Sequence, residues 1–335
     1  MKKTKKTKNY EDLPFYDKLL NKVQAYGQTI WKDKWKEGVD QEWLNNFSDL
    51  DEDKLEKERI NMLYLLSKFM YFGNAELRQL LISLYRDLFK YPIIASIRKR
   101  KSDSTDLDEI NYEFQSELDA TRFLGVGNPS ESGVHMLYYF RQECNLSKEY
   151  FINTSDIFTT SKITEKLPTK ETRIYLKSEI KNIDIKRYVF IDDFCGSGSQ
   201  AEDYLKQIVE NIKFESPDIE VNYLMLFGTE IGINNVRNLG VFNNVEAVFT
   251  IDETFKTFSD NSRYFKVLPD ESIEKDFSRE TALKYGNNLF NPPLGHGNCE
   301  LLLGMYHNTP DNSLPIFWSE ENKWKPVFKR YNKIY

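Results

Sequence analysis

The stretch Arg187–Gln200, RYVFIDDFCGSGSQ, constrains the fold of this chain more than any other segment. An uninterrupted apolar run, Tyr188 to Ile191, is followed by two carboxylates and then by a Gly/Ser loop. Such a run suits a strand buried on both faces, as a central strand of a parallel sheet is. The loop then lies at the carboxyl end of the strand, where open α/β sheets bind their ligands, and a helix is predicted to begin near Ser199 or Gln200. Backbone N–H groups freed by the two glycines and by the first helical turn can hold a phosphate or another anion. Asp192 and Asp193 would face whatever that phosphate carries.

Around this stretch the periodicity divides the chain. From Tyr10 to about Lys101 apolar residues recur at three- and four-residue steps. Leu55, Met62, Leu66, Phe69 and Met70 form one stripe, and Leu77, Leu80, Leu81, Leu84 and Leu88 the next. Trp31 and Trp35 share a helix face and, with Trp43 and Phe47, offer a large apolar area for docking. Nothing here has the residue types that catalysis needs, so the region is expected to be a helical cap or a partner-binding module. The run RKRK at Arg98–Lys101 suits a helix C-terminus, where the macrodipole favours cations, and SDSTDLDE after it reads as a linker.

After Thr121 the pattern changes. TRFLGV reads as a strand, GNPSESG as a loop and VHMLYYFRQE as a helix; Tyr150–Phe158 reads as a strand and Thr159–Thr172 as a mobile loop. The central motif follows with a helix over Ala201–Ile212, then a strand at Val221–Gly228, a helix at Ile231–Leu239 and a strand at Val245–Asp252. This alternation implies an α/β fold, a mostly parallel sheet with helices on both faces. Residues 1–105 are expected to form a helical N-terminal region with a basic tail. Residues 106–335 are expected to form the α/β domain, closed beyond Phe265 by an irregular, aromatic, Pro/Gly-rich hood.

Composition narrows the partners. With 335 residues, 40% hydrophobic and 29% charged, the balance is that of a soluble globular protein. A net charge of -6 argues against nucleic-acid binding over the whole surface, while MKKTKKTK at the N-terminus reads as a solvated tail or a local contact to RNA or DNA. That segment continues into Asn9, Tyr10, Glu11 and Asp12 instead of an apolar run, unlike a secretory signal. No apolar stretch is long enough to span a bilayer, so no membrane partner is expected. Cys144, Cys195 and Cys299 are far apart and lack metal-ligand spacing, which suits reduced thiols in a cytoplasmic protein. Cys195, in the loop near a helix N-terminus, reads as a small loop residue; no His lies near it to make it a nucleophile.

An apolar strand, Asp-Asp and a small-residue loop opening a helix together resemble the ribose-phosphate motif of type I phosphoribosyltransferases. The resemblance implies that Asp192 and Asp193 contact ribose hydroxyls, and that Gly196, Ser197, Gly198 and Ser199 cradle the 5-phosphate. Gln200 stands where that family usually has Thr. GNPSESG, with Gly127, Asn128, Ser130, Ser132 and Gly133, takes the place of the family's pyrophosphate loop, but it carries Glu131 and no Lys or Arg. Arg122, Arg141, Lys162, Lys166 or Arg173 would have to reach in to supply the charge.

A competing resemblance is to class I S-adenosylmethionine-dependent methyltransferases, through FCGSG at Phe194–Gly198 and NPPL at Asn291–Leu294. Leu294 replaces the aromatic that would stack on a flipped base, and NPPL follows no apolar strand.

A third resemblance covers more of the chain, from roughly Leu44 to Trp318. TRFLGVGNPSESG, FIDDFCGSGSQ and GMYHNTPDNSLPIFW, in this order behind a helical region, are similar to the phosphoribosyltransferase-like proteins of bacterial conflict systems. This implies an antiphage defence effector acting on a nucleotide or a phosphoribosyl pyrophosphate-like ligand. Control by a partner would follow, such as a reverse transcriptase with its non-coding RNA–DNA complex or another defence protein. A nucleotide-sensing effector without turnover is the alternative. A reaction of this class passes through an oxocarbenium-like centre and relies on positioning and electrostatics, with Mg²⁺ on Asp192 and Asp193 as the expected cofactor. His296 and His307 are candidate base contacts, and Phe317 with Trp318 forms either a hood over a nucleobase or core packing.

Overall fold

The computed structural model describes residues 13–127, 132–166 and 172–331. Asn128, Ser130 and the lysine tail lie outside the described residues. The chain folds as two compact units: residues up to Leu77 together with those from Asp252 onward, and Arg78–Ile251. The single boundary expected at residue 105 is thus replaced by two, because both ends of the chain build one core.

Helices α1 (Phe15–Thr29), α2 (Val39–Leu44) and α3 (Glu52–Leu66) open the first unit, followed by a short strand, β1 (Met70–Phe72). The side chain of Asp51 accepts from the backbone N–H groups of Asp53 and Lys54 and so caps α3. Phe69 and Met70, expected on a helical stripe, lie beyond its end, and Trp31 and Trp35 follow α1 instead of sharing its face, with ring centroids 5.8 Å apart.

Helix α4 (Asn74–Ser83) crosses the boundary and widens into π-type turns over Leu84–Lys90 before α5 (Tyr91–Arg100). Pro92 explains the widening: its ring would clash with the carbonyl four residues back in a regular helix. Next comes α6 (Leu107–Asp119), capped by Asp106, so the expected linker is in part a helix start.

The second unit is organised by β2 (Thr121–Gly125), α7 (Ser132–Glu143), β3 (Phe158–Lys166), β4 (Thr172–Ile180), β5 (Arg187–Cys195), α8 (Ser199–Glu215), β6 (Glu220–Thr229), α9 (Glu230–Asn238) and β7 (Asn244–Ile251). Strands β2, β5, β6 and β7 form one sheet in that order, each parallel to its neighbour, with Gly125 opposite Ile191 and Asp192 opposite Met225. Helices cover both faces. On one, Phe123 packs on Phe140 of α7 and on Phe89 of the π-type segment. On the other, Tyr188, Phe190 and Tyr223 pack with Leu205 and Val209 of α8 and Val236 of α9. The helices that follow β2 and β5 therefore take opposite faces, which makes the carboxyl ends of these adjacent strands a topological switch point, the place where open α/β sheets bind ligands.

Two expectations fail between α7 and β5. Tyr150–Phe158 is not a strand but a pair of 3₁₀ turns with one bridge, Phe123 to Phe151, and the loop expected at Thr159–Thr172 is largely strand β3, paired antiparallel with β4. Nearly all of β4 is exposed, so the hairpin has no buried face to write an alternating pattern into the sequence.

The chain then returns to the first unit through α10 (Lys275–Gly286) and β8 (Leu303–Met305), which pairs parallel with β1. Trp43 stacks on Phe317 at 5.4 Å, its indole N–H donating to the Ile316 carbonyl at 2.7 Å; Phe69 stacks on Phe328 at 4.2 Å. Each such aromatic pair contributes about 0.5–1.5 kcal/mol beyond its buried area. Truncating Trp43 to Ala would remove one whole side of this core, at a cost of about 3–5 kcal/mol. Phe317 and Trp318 are buried within this core and the Trp318 indole donates to the Ser313 carbonyl, so these rings are packing and not a hood over a base.

Candidate functional site

The parallel pairing of β2 with β5 brings two loops together, one after each strand. Close approach of α7 sets their geometry. A Cβ on Gly133 would lie 2.6 Å from the Val126 carbonyl oxygen, so only glycine lets the start of α7 lie this low over the strand ends. From there the Ser132 hydroxyl donates to Asp193 Oδ1 at 2.9 Å. This hydrogen bond ties the start of α7 to the double acid. Gly127, with φ of 93°, lies two residues past β2; Asn128 and Ser130 are outside the described residues.

The two carboxyl groups have separate environments. Successive residues of a strand point to opposite faces, and Asp192 points to the α8 side, where it is 1% exposed. Its Oδ2 accepts from the Tyr223 hydroxyl at 2.7 Å and its Oδ1 from the Asp193 N–H at 2.9 Å. Burial, and after it the neighbouring Asp193 charge, hold the Asp192 carboxyl well above the usual carboxylate range. Asp193, 7% exposed, points to the α7 side and Ser132. The two acids expected to face a ligand thus point to opposite faces of the sheet, Asp193 toward Ser132 and Asp192 toward Tyr223, where it accepts from its neighbour's backbone N–H.

The loop after β5 is strapped down by α9. Thr229 Oγ1 donates to the Gly196 carbonyl at 2.5 Å and also caps α9 by accepting from the Gly232 N–H at 2.9 Å. Asn235 Nδ2 donates to the Ser197 carbonyl at 2.9 Å. Gly198, at φ of 84°, turns the chain into α8, while the Ser197 and Ser199 hydroxyls bond each other at 2.8 Å and Gln200 lies in the first helical turn. A cavity of about 250 Å³ is lined by Ser197, Ser199, Glu202, Asn235 and Asn238 among others, and neither Asp192 nor Asp193 borders it. Glu202 places a negative charge beside the expected phosphate cradle, with Lys206 3.6 Å away on the next turn.

Of the cations expected to reach in, Arg122, Arg141 and Arg173 have partners elsewhere. Arg122 donates to the carbonyls of Asp119 and Thr121 at the opposite end of β2. Arg141 sits about 13 Å along α7 from Ser132, and its guanidinium lies over Tyr138. Arg173 lies over Tyr175 on the hairpin, and Lys162 stands opposite Leu176 there. His296 and His307 belong to the first unit; the His296 N–H donates to the Asp311 carbonyl at 2.7 Å. Leu294 is buried in the first unit's core, so it does not stand out to stack on a flipped base as the aromatic of the methyltransferase motif would. Burial pushes the Cys195 thiol up to about 12, the reverse of an activated nucleophile.

Both Asp192 oxygens are taken by protein donors, and among the described residues no group of three or more His, Cys, Asp or Glu side chains comes together. Tyr223, Thr229 and Asn235 were not legible as site residues. Only Tyr223 carries a signal: a phenol inside the apolar run of β6 needs a partner for its hydroxyl.

The family model described as PRTase-CE matches residues 41–330. No curated protein matches the chain. Among solved structures, the AQ2163 protein from Aquifex aeolicus is 11% identical, over 65% of this chain and 86% of that one, at a TM-score of 0.28. The Helicobacter pylori xanthine-guanine-hypoxanthine phosphoribosyltransferase is 9% identical over 55% and 87%, with a TM-score of 0.25. The orotate phosphoribosyltransferase from Aeropyrum pernix is 14% identical over 44% and 77%, with a TM-score of 0.22. At such scores these three likenesses carry no argument.

Proposed function

The chain belongs to the PRTase-CE family, and from that premise we propose that its Asp193 site binds a nucleotide or a phosphoribosyl pyrophosphate-type ligand and transfers or releases its ribosyl group. One observation carries this reading: the Ser132–Asp193 hydrogen bond, which ties the start of α7 to one carboxylate at the switch point between β2 and β5. Asp193 would accept from the ribose hydroxyls. The loop at Gly196–Ser199, with the first turn of α8, would receive the 5-phosphate through backbone N–H groups. Asp192, whose carboxyl burial holds well above the usual carboxylate range, fixes the Asp193 backbone beneath the site. A positive charge developing at the sugar would then meet one oriented carboxylate in a partly desolvated site. Any Mg²⁺ would arrive on the ligand's own phosphates.

A second reading, nucleotide sensing without turnover, is favoured by the charge of the two loops. Neither GNPSESG nor FCGSGSQ contains Lys or Arg, and Glu202 follows closely. A leaving pyrophosphate has no cation from these loops to hold it. The resemblance to conflict-system proteins supports placing either activity in an antiphage effector restrained by a partner.

The test is thermal unfolding of parent and Asp193→Asn protein with phosphoribosyl pyrophosphate, ribonucleotides or S-adenosylmethionine. At a hundredfold excess over Kd the parent is expected to gain about 5–10 °C with a ribose-phosphate ligand, and Asp193→Asn to lose that gain. Stabilisation by S-adenosylmethionine alone, or an undiminished response in Asp193→Asn, overturns the reading. Binding without ligand breakdown selects the sensor. If expression alone is harmless to cells and phage plating is unchanged, the effector role fails.

A further inference from the structure

The hairpin β3–β4 is two strands wide, pairs with no other strand among the described residues, and is exposed on β4 from Thr172 to Ser178. A two-stranded ribbon is marginally stable alone; three or more strands with an apolar face are needed for more. β4 lacks the backbone features that usually protect an edge. Over Thr172–Ile180 there is no Pro and no Gly, and the register with β3 runs without a bulge. Ile174 and Leu176 stand exposed on one face of it.

The ladder fixes which backbone groups are open. The Lys181 N–H donates to the Ile157 carbonyl directly opposite at 2.9 Å, so the odd-numbered residues of β4 turn their N–H and C=O toward β3, and Ile174, Leu176 and Ser178 turn theirs outward. The Thr160 and Ser178 hydroxyls, 3.4 Å apart, agree, because side chains lie closer at pairs without backbone bonds. Two copies of β4 can therefore meet edge to edge about a two-fold axis at Leu176, outward residue against outward residue. Leu176 then faces its own mate, Ile174 faces Ser178, Tyr175 faces Lys177 and Arg173 faces Glu179. The charges suit this register. Arg173 lies over the Tyr175 ring and makes no ion pair among the described residues, while Glu179 holds Lys177 of its own strand at 2.6 Å, both exposed. Moving the axis by one residue sets Arg173 against Lys177 in one direction and Lys177 against itself in the other, and like charges directly opposite are destabilising. Moving it two residues toward the base of the hairpin draws in Ile180, which is buried. Neither of two other open edges offers the same. On β3, Lys162 and Glu165 fall on opposite faces and cannot be set against each other in any register, and β7 carries Glu246 as its one charge.

We propose that this edge of β4 binds a second copy of the chain, joining two hairpins into one four-stranded antiparallel sheet with Leu176 at the two-fold axis. Ile174 and Leu176 of both copies then share one face, and two Arg173–Glu179 pairs flank the axis on the other. The pairing is independent of the Asp193 site.

The test is sedimentation velocity of the full-length protein over a concentration series. A weak dimer is expected, with a Kd of about 100 μM, and added salt weakens it further. Arg173→Glu and Glu179→Arg should each weaken it about tenfold by setting like charges opposite, and the double reversal should restore it. Leu176→Pro should abolish it while thermal unfolding stays close to that of the parent, because the N–H it removes points away from β3. Under mild oxidation Leu176→Cys should give a cross-linked dimer and Ile174→Cys should not, since only a residue at the axis meets its own mate, at a Cα separation of about 5.5 Å. If the edge takes a strand of another protein instead, the parent stays monomeric to about 1 mM, and the proposal is overturned. A dimer indifferent to Leu176→Pro or to the single reversals, or one that the double reversal fails to restore, overturns it as well.

Discussion

Replacing Tyr223 by Phe removes one hydroxyl from the buried face of the central sheet. In the native chain that hydroxyl donates to Asp192 Oδ2 at 2.7 Å, and the Asp193 N–H donates to Asp192 Oδ1 at 2.9 Å. Both oxygens of a carboxyl group that is 1% exposed are thereby satisfied. Tyr223→Phe strands one of them, at a cost of about 1–3 kcal/mol. For a unit of roughly 170 residues this lowers Tm by about 2–12 °C. The cost has a sign with pH. Burial and then the Asp193 charge raise the Asp192 pKa, while the Tyr223 hydroxyl opposes them by favouring the ionised form. Without it the folded-state pKa rises further. A group raised in this way contributes stability that is full below its unfolded pKa and is lost as pH climbs through the folded one. The gap between variant and parent therefore widens once pH passes the parent's raised folded-state pKa, where the parent carries the ionised acid that the Tyr223 hydroxyl favours. Urea unfolding at about pH 5 and about pH 8 measures it, with Asp192→Asn as the background in which the pH-dependent part disappears. A cost below about 0.5 kcal/mol, or a gap that narrows as pH rises, would refute the assignment of Asp192 as a buried, Tyr223-supported acid.

Ser132→Ala removes the bond from the start of α7 to Asp193; it is expected to cost about 1 kcal/mol in stability and to weaken any ribose-phosphate ligand about tenfold, measured by calorimetric titration. Gly232→Ala places a Cβ 2.4 Å from the Gly196 carbonyl oxygen, so it should cost about 1–3 kcal/mol in urea unfolding and pull the Gly196–Ser199 loop away from α9. Cys195, with its thiol pushed up to about 12, should react with iodoacetamide at about pH 8 roughly a thousandfold more slowly than an unperturbed thiol, and at an ordinary rate in urea; mass spectrometry of the peptide reports both.

The α/β sheet was legible because its strands are buried on both faces. The runs at Tyr188–Ile191 and Val221–Gly228 leave no other reading, and the strand–loop–helix order follows from the glycines and serines between them. The hairpin β3–β4 was not, since an exposed ribbon needs no apolar pattern. Helix α10 was missed for a related reason. Its buried face is Ser278, Thr281, Ala282, Tyr285 and Gly286, and the Ser278 hydroxyl bonds Asn61 at 2.9 Å, so its packing is written in small and polar residues. At the site, the identity of Asp193 could be read from one segment. The division of labour between Asp192 and Asp193 could not, because it depends on Tyr223 from a different strand. The two-unit division was hidden likewise: nothing local at Trp43 announces that its indole will meet the Ile316 carbonyl.

That division bears on how the chain is made. The first unit is split in sequence by the whole of the second, and β1 must wait for β8, more than two hundred residues later, to find its partner. During synthesis at about 5–20 residues per second, Arg78–Ile251 takes roughly 10–35 s to emerge. Throughout that interval Trp43, Phe47 and Phe69 have no Phe317, Trp324 or Phe328 to pack against. The nascent N-terminal segment is therefore a client for chaperones, and a chain interrupted near residue 251 would yield a finished sheet carrying a sticky, half-built neighbour.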